Sequence, residues 1–124
     1  MKVLSVDDSV MIRRVIKNAV DVLGFDFLEA GDGQEALDIL EKEYADVGLV
    51  LLDWNMPVLT GIETLKRIKA DSRYAKIPVV MVTTEVERGK VVEAISAGAR
   101  QYIMKPFSHE DLMTKIMQTL GMGV

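Results

Sequence analysis

Residues 47–57 read VGLVLLDWNMP, and this stretch decides the fold. Its first six residues, 47–52, carry no charge and are almost all apolar, which is typical of a central strand buried on both faces of a parallel sheet. Asp53 follows at once, so the stretch predicts a buried strand that ends in an acid. A solvated surface acid is the simple interpretation of Asp53, and a chemical role is the alternative. Trp54 is expected to be a partly exposed ring beside this strand end.

Further short apolar runs lie on either side of this strand, at residues 3–6, 25–30, 77–82 and 102–104. Each of the five runs, the one at residues 47–52 included, is followed by a stretch with apolar residues at helical spacing, at residues 12–23, 36–40, 62–68, 91–95 and 112–120. A capping side chain with an acid three residues later marks helix starts at Asp32, Thr60, Thr84 and Ser108. Glycines that suit a left-handed helix end follow at Gly24, Gly98 and Gly121. The pattern therefore predicts five strand–helix units.

Strict alternation of strands and helices predicts an α/β fold, a doubly wound (βα)5 parallel sheet of five strands with helices on both faces. The second strand, FDFLE at residues 25–29, mixes charged with apolar residues, which suits the edge of a sheet. We therefore expect the strand order 2-1-3-4-5. In such a sheet the ligand crevice lies beyond the carboxyl ends of strands one and three, where the order of the strands reverses.

Composition narrows the function classes. The chain has 124 residues, the usual size of one domain, and 49% of them are hydrophobic. Cysteine is absent, which excludes disulfides and thiolate metal sites and fits a reducing compartment. A net charge of −4 with scattered lysines argues against a nucleic-acid partner, and the apolar runs are too short for a membrane span. We expect one cytoplasmic domain over residues 1–124.

Polar or ionisable side chains follow the strands that border the predicted crevice, namely Asp7, Asp8, Asp53, Thr83 and Lys105. Several have a structural alternative, since Asp8 or Ser9 could cap a helix, Thr83 could be a strand former and Lys105 could be solvated. Three carboxylates at one crevice, however, repel one another by about 1 kcal/mol per pair at 4 Å in water and about 4 kcal/mol at an effective dielectric near 20. Such a cluster either raises a pKa or binds a cation.

The residue types at the crevice indicate magnesium and phosphoryl chemistry. Oxygen ligands without His or Cys select a hard cation, and one or two carboxylates completed by water suit Mg²⁺ better than Ca²⁺. Asp53 is the candidate nucleophile, because carboxylates form aspartyl-phosphates. Asp8 and Asp53 would hold the metal and Asp7 would orient it, while Lys105 would place a charge on the phosphate and Thr83 would donate a hydrogen bond to it. Neither Gly-rich phosphate-loop motif occurs, so nucleotide binding is not expected.

Four motifs carry a family resemblance: VDDS at 6–9, DWNMP at 53–57, VTTE at 82–85 and YIMKPF at 102–107. They resemble the receiver domain of bacterial two-component response regulators, a flavodoxin-like fold, over essentially the whole chain. The resemblance implies that a histidine kinase phosphorylates Asp53 in a Mg²⁺-dependent reaction. It implies a metal site of Asp7, Asp8, Asp53 and the backbone carbonyl of Asn55. It also implies that Lys105 contacts the phosphoryl group and that the Lys105–Pro106 peptide bond is cis.

A switch is also implied by the resemblance. Thr83 would move toward the phosphoryl group and the ring of Tyr102 would rotate inward behind it, whereas a static core aromatic is the alternative for Tyr102. Asn55 and Glu85, which stand two residues after Asp53 and Thr83, are implied to tune the lifetime of the phosphate. The resemblance thus implies that the protein is a phosphorylation-controlled switch with intrinsic autophosphorylation and autodephosphorylation activity, and not an enzyme.

The partners follow from the same resemblance, since the motifs are most similar to those of the chemotaxis regulators within the family. This implies a histidine kinase of the CheA type as phosphodonor, a flagellar motor switch protein docking on the face formed by helix 4, strand 5 and helix 5, and a possible phosphatase. No output domain is expected, and the chain is expected to be a monomer. The segment VERGK at residues 86–90 is less basic than that type, which leaves the docking partner open.

Three rival functions are retained. A Mg²⁺-dependent phosphatase with an aspartyl-phosphate intermediate would need a second acid where Asn55 stands. A flavodoxin-like binding module shares the fold but would need a phosphate-binding loop after the first strand. A relay intermediate, which passes the phosphate to a histidine of another protein, shares the chemistry of the receiver and is poorly separated by sequence.

Overall fold

A computed structural model of the chain describes residues 1–84 and 89–122. Strands and helices alternate in the order β1 (Lys2–Val6), α1 (Val10–Val22), β2 (Asp26–Ala30), α2 (Gly33–Glu43), β3 (Val47–Asp53), α3 (Gly61–Ala70), β4 (Val79–Thr84), α4 (Val91–Ser96), β5 (Gln101–Lys105) and α5 (His109–Leu120). All strand pairs are parallel, and the sheet order is β2-β1-β3-β4-β5. The predicted α/β fold and strand order are confirmed.

The central strand β3 is buried on both faces, as its uncharged sequence predicts. Leu49 and Leu51 point into one apolar cluster, which contains side chains of α1 and α5. Val50 and Leu52 point into the other cluster, which contains side chains of α2 and α3. Each fully buried leucine contributes about 2 kcal/mol relative to an exposed one, so β3 is held firmly between two helical layers. Asp53 stands at the end of this rigid strand.

The edge strand β2 pairs with β1, and Asp26 and Glu29 on it are exposed. The charged residues of the second apolar run therefore lie at the sheet edge, as expected. The fourth strand differs from the sequence prediction, because it covers residues 79–84 rather than 77–82. Its start is delayed because the N–H of Ile77 closes a turn onto the carbonyl of Tyr74, and Pro78 has no N–H for the ladder.

Three of the four predicted helix starts are capped as the sequence indicates. The side chains of Asp32, Thr60 and Ser108 each accept a hydrogen bond from the backbone N–H three residues on. The cap of α3 is a complete capping box, because Glu63 also bonds back to Thr60. The predicted helix ends at Gly24, Gly98 and Gly121 all have positive φ. Among the described residues, no helix combines the length and apolarity needed to cross a membrane.

Helix α4 departs most from its predicted pattern. Its start signal at Thr84 requires Glu87, which lies outside the described residues, and α4 itself begins after Lys90 without a side-chain cap. The apolar spacing at residues 91–95 predicts a buried stripe, but Ala94 is the buried residue, whereas Val92 and Ile95 are 74% and 45% exposed. An apolar surface on α4 is therefore left facing outward.

Candidate functional site

Three acids lie together at the carboxyl ends of the two central strands. Val6 of β1 pairs with Leu52 of β3, so the residues that follow them, Asp7 and Asp53, stand side by side. Oxygens of Asp7, Asp8 and Asp53 all lie within 4.8 Å of one another. Asp7 and Asp53 are only 1% and 5% exposed, whereas Asp8 is open to solvent. The sequence-predicted acids thus form one pocket with an open side.

Lys105 reaches this pocket from the end of β5. Its Nζ donates to Asp7 Oδ2 at 3.0 Å and to Asp53 Oδ1 at 3.1 Å, across the intervening strand β4. The expected cis peptide bond between Lys105 and Pro106 is confirmed. One ammonium group therefore bridges two buried carboxylates, which places a single positive charge against two or three negative ones.

The pKa values of Asp53 and Lys105 are both shifted in this pocket. Burial, together with the charge of Asp7, raises the pKa of Asp53 to about 6, although the charge and hydrogen bond of Lys105 oppose the increase. Burial lowers the pKa of Lys105, but its hydrogen bond to Asp7 and the charges of both acids outweigh this, so the pKa is raised. An excess of buried negative charge with oxygen-only donors fits a hard divalent cation. The residues present therefore suit Mg²⁺.

Residues of helix α1 hold Asp7 in place. Ser9 caps α1 through its hydroxyl, which settles the choice between Asp8 and Ser9 as the capping residue. The N–H of Ser9 also donates to Asp7 Oδ1 at 2.9 Å. Arg13 donates from Nη1 to the backbone carbonyl of Asp7 and from Nε to Glu29 Oε1 at 2.7 Å. Arg13 was not predicted from the sequence, because its contacts depend on how α1 packs over two strands.

The predicted switch pair occupies neighbouring strands. Thr83 on β4 is 1% exposed, and its hydroxyl donates to the carbonyl of Thr84 at 3.3 Å. Tyr102 on β5 is 36% exposed, so the alternative of a static core aromatic does not hold in this conformation. The ammonium group of Lys115 on α5 lies 5.6 Å from the centre of the Tyr102 ring. The Thr83 hydroxyl is therefore buried and the Tyr102 ring lies outward, which is the arrangement that the predicted switch would start from.

The residues that flank Asp53 and Thr83 are placed less completely. Asn55 lies in the exposed loop after β3, and Glu85 lies outside the described residues.

The expectation for Trp54 is wrong, because this ring is 4% exposed rather than partly open. The N–H of Gly61 donates to the carbonyl of Trp54 at 2.8 Å, and a Cβ at Gly61 would come within 2.2 Å of the carbonyl oxygen of Asp53. Helix α3 therefore closes directly over residues 53–54.

Comparison with known proteins agrees with this geometry. Residues 3–117 match the response regulator receiver domain family. The chain is 45% identical to a chemotaxis protein CheY homolog of Campylobacter jejuni, over 99% of this chain and 95% of that protein. It is 43% identical to chemotaxis protein CheY1 of Helicobacter pylori, over 98% of each. The solved structure of chemotaxis protein CheY4 of Vibrio cholerae superposes with a TM-score of 0.87 at 36% identity, covering 95% of this chain and 97% of that one.

The chain belongs to the response regulator receiver domain family, whose members use Mg²⁺ at an acidic pocket and act as phosphorylation-controlled switches. With CheY relatives at 43–45% identity over nearly its full length, it is a CheY-like response regulator. Such a protein has a histidine kinase as phosphodonor and a docking target. The relay-intermediate and phosphatase alternatives are not favoured.

Proposed function

We propose that Asp53 accepts a phosphoryl group from the phosphohistidine of a CheA-type kinase and that the phosphorylated chain then docks on a motor switch protein. The observation that carries this proposal is the pocket in which Asp7, Asp8 and Asp53 converge and Lys105 bridges two of them. In the transfer, the phosphorus–nitrogen bond of phosphohistidine breaks and a phosphorus–oxygen bond to the Asp53 carboxylate forms. The histidine nitrogen keeps the bonding electron pair and takes a proton from solvent.

Each residue of the pocket has a part in this step. The pKa of Asp53, about 6, leaves its carboxylate ionised and nucleophilic at neutral pH. Asp7, Asp8 and Asp53, with the carbonyl of Asn55, would hold Mg²⁺, which stabilises the charge that develops on the transferring phosphoryl oxygens. Lys105 Nζ already lies at Asp53 Oδ1 and supplies a fixed positive charge for the product. The same groups support autophosphorylation from small phosphodonors and hydrolysis of the phosphate, whose lifetime Asn55 and Glu85 are expected to tune.

The signal would leave through the face of α4, β5 and α5. Phosphorylation places new acceptor oxygens beside the buried Thr83 hydroxyl, and a movement of Thr83 would free space for the Tyr102 ring. Val92 and Ile95 on α4 and Tyr102 on β5 are the exposed apolar side chains of this face. A cavity of about 400 Å³ lies between β5 and α5, with Tyr102 in its lining. These features suit docking of a partner whose affinity depends on the position of the ring.

Two measurements test the assignment of Asp53. Purified CheA-type kinase carrying labelled phosphate should transfer the label to this chain in Mg²⁺ and not in EDTA, and Asp53→Asn should accept none. Asp26→Asn, which changes an exposed carboxylate on β2, is the matched control and should accept the label normally. Beryllofluoride with Mg²⁺ should also change the fluorescence of Trp54, the single tryptophan of the chain. A stable label on Asp53→Asn would overturn the assignment.

A further inference from the structure

Arg13 connects the acidic pocket to the edge of the sheet. It lies on the first turns of α1, and its side chain is only 15% exposed. The guanidinium donates from Nη1 to the backbone carbonyl of Asp7 and from Nε to the carboxylate of Glu29 on β2, at 2.7 Å. A planar guanidinium that binds two partners has little rotational freedom, so its position defines the position of both.

The carbonyl that Arg13 binds belongs to the peptide group between Asp7 and Asp8. The other side of Asp7 is also fixed, because its N–H donates to the carbonyl of Ala30 at 3.0 Å. The Asp7 N–H is thus hydrogen-bonded to the end of β2, and the Asp7 carbonyl is hydrogen-bonded to Arg13. Because both groups are held, the peptide group between Asp7 and Asp8 cannot rotate freely. Asp8 is the exposed member of the acid cluster, and tertiary packing therefore does little to orient it.

We propose that Arg13, held by Glu29, is a positioning residue that fixes the Asp7–Asp8 peptide and so places both carboxylates for the divalent cation. This inference rests on the proposed function, because it concerns the same metal site. In this role Arg13 contacts the Asp7 carbonyl and Glu29 rather than the cation or the phosphoryl group. It acts on the metal site as an outer-shell partner, a kind of residue whose loss commonly costs 10–100-fold in metal affinity.

Charge and geometry predict opposite results for this residue. If Arg13 acted on the cation only through its positive charge, replacing it by a neutral residue would remove a repulsion and tighten Mg²⁺ binding. If Arg13 positions the Asp7–Asp8 peptide, the same replacement leaves that peptide free to turn and weakens Mg²⁺ binding. The sign of the change therefore separates the two explanations.

The experiment is a MgCl₂ titration of the full chain, followed by Trp54 fluorescence and by calorimetry. Arg13→Met is expected to raise the Kd for Mg²⁺ about 10-fold. Arg13→Lys keeps the charge but not the two-pronged contact, and it should also weaken binding, by a smaller factor. Arg14→Met is the matched control, since Arg14 is the exposed neighbour on the same helix and should leave the Kd within about two-fold. An unchanged or lower Kd for Arg13→Met overturns the proposal.

Glu29→Gln provides a second test if Arg13→Met does not fold. It leaves Arg13 in place with a weaker acceptor, and we expect a smaller loss of Mg²⁺ affinity that persists in high salt, where Coulomb effects are screened. A Kd that returns to the wild-type value in high salt would contradict positioning. Wild-type protein that binds no Mg²⁺ would reject the proposed function as a whole. Wild-type binding with an equal Kd for Arg13→Met would reject only the role of Arg13.

Discussion

Replacing Asp53 by asparagine should stabilise the metal-free protein while removing its response to Mg²⁺. The reason is the burial of the Asp53 carboxylate together with the crowding of negative charge around it. At the 4.8 Å that bounds the carboxylate oxygens of Asp7, Asp8 and Asp53, each pair repels by about 3–4 kcal/mol at an effective dielectric near 20 and by less than about 1 kcal/mol in water. Lys105 offsets part of this repulsion but carries only one charge. Asparagine has nearly the same shape and no charge.

The pKa of Asp53 sets the size and the pH dependence of the effect. It rises from an ordinary value of 3.8 to about 6 in the folded protein, first because of burial and then because of the charge of Asp7. At about 1.4 kcal/mol per pKa step this difference corresponds to at most about 3 kcal/mol, and screening through the open side of the pocket reduces it to about 1–2 kcal/mol. Because the folded-state pKa is the higher one, the fold loses this stability as pH rises from about 4 to above 6.

Urea unfolding in EDTA, at pH 7.5 and at pH 4, measures the prediction. Asp53→Asn should be more stable than wild type by about 1–2 kcal/mol at pH 7.5, or about 4–8 °C in Tm, and the difference should largely vanish at pH 4. Saturating Mg²⁺ should stabilise wild type by about 3 kcal/mol at 100 times its Kd and should stabilise the variant far less. Asp26→Asn, at an exposed position, should show neither effect. A variant as stable as wild type or less stable at pH 7.5 would refute the reasoning.

Three further predictions concern single side chains. Val58→Asn should raise the free energy of unfolding by about 1 kcal/mol, because Val58 has a φ of 70°, a conformation that a β-branched residue adopts only under strain; an unchanged urea midpoint would contradict this. Ser5→Ala should raise the free energy of unfolding by about 1 kcal/mol, since Ser5 Oγ is buried without a hydrogen-bond partner in the described part of the chain; a lower urea midpoint would contradict this. Lys115→Met removes both the cation near the Tyr102 ring and the 3.2 Å hydrogen bond to Gln101. The free-energy preference for the outward orientation of the Tyr102 ring should therefore fall by about 0.5–1 kcal/mol. Fluorotyrosine NMR should then show a shifted Tyr102 resonance, and an identical spectrum would exclude this role for Lys115.

The strand order and the convergence of the acids could be predicted from the sequence, because the first follows from the burial of the strands and the second from their parallel direction. An uncharged β3 and a charged β2 fix which strand lies in the centre, and parallel strands bring their carboxyl ends to one edge. Asp7 and Asp53 then become neighbours by register alone. No side-chain detail is needed for this step, so the sequence alone places Asp7 and Asp53 at one edge of the sheet.

Other features depend on how helices dock, which the sequence pattern does not contain. Trp54 is buried because α3 begins at Gly61 directly above its backbone, and nothing in the stretch WNMP shows that closeness. Arg13 resembles its exposed neighbour Arg14 in sequence, and only the packing of α1 over β1 and β2 separates them. The outward ring of Tyr102 is likewise a rotamer choice, and the position of Lys115 beside it depends on how α5 docks.

The buried and crowded carboxylates of the pocket both destabilise the metal-free protein and support its proposed function. Burial first, and repulsion from Asp7 second, raise the pKa of Asp53 and lower the free energy of unfolding at neutral pH, and the same uncompensated negative charge favours binding of a divalent cation. A variant that gains stability by losing one of these charges must therefore lose Mg²⁺ affinity as well. The two apolar clusters that enclose β3 make this arrangement tolerable, because they hold Asp53 at the end of a rigid strand whatever its charge. Stability gained by filling or rigidifying these clusters should leave the Kd for Mg²⁺ unchanged, whereas stability gained in the pocket should not.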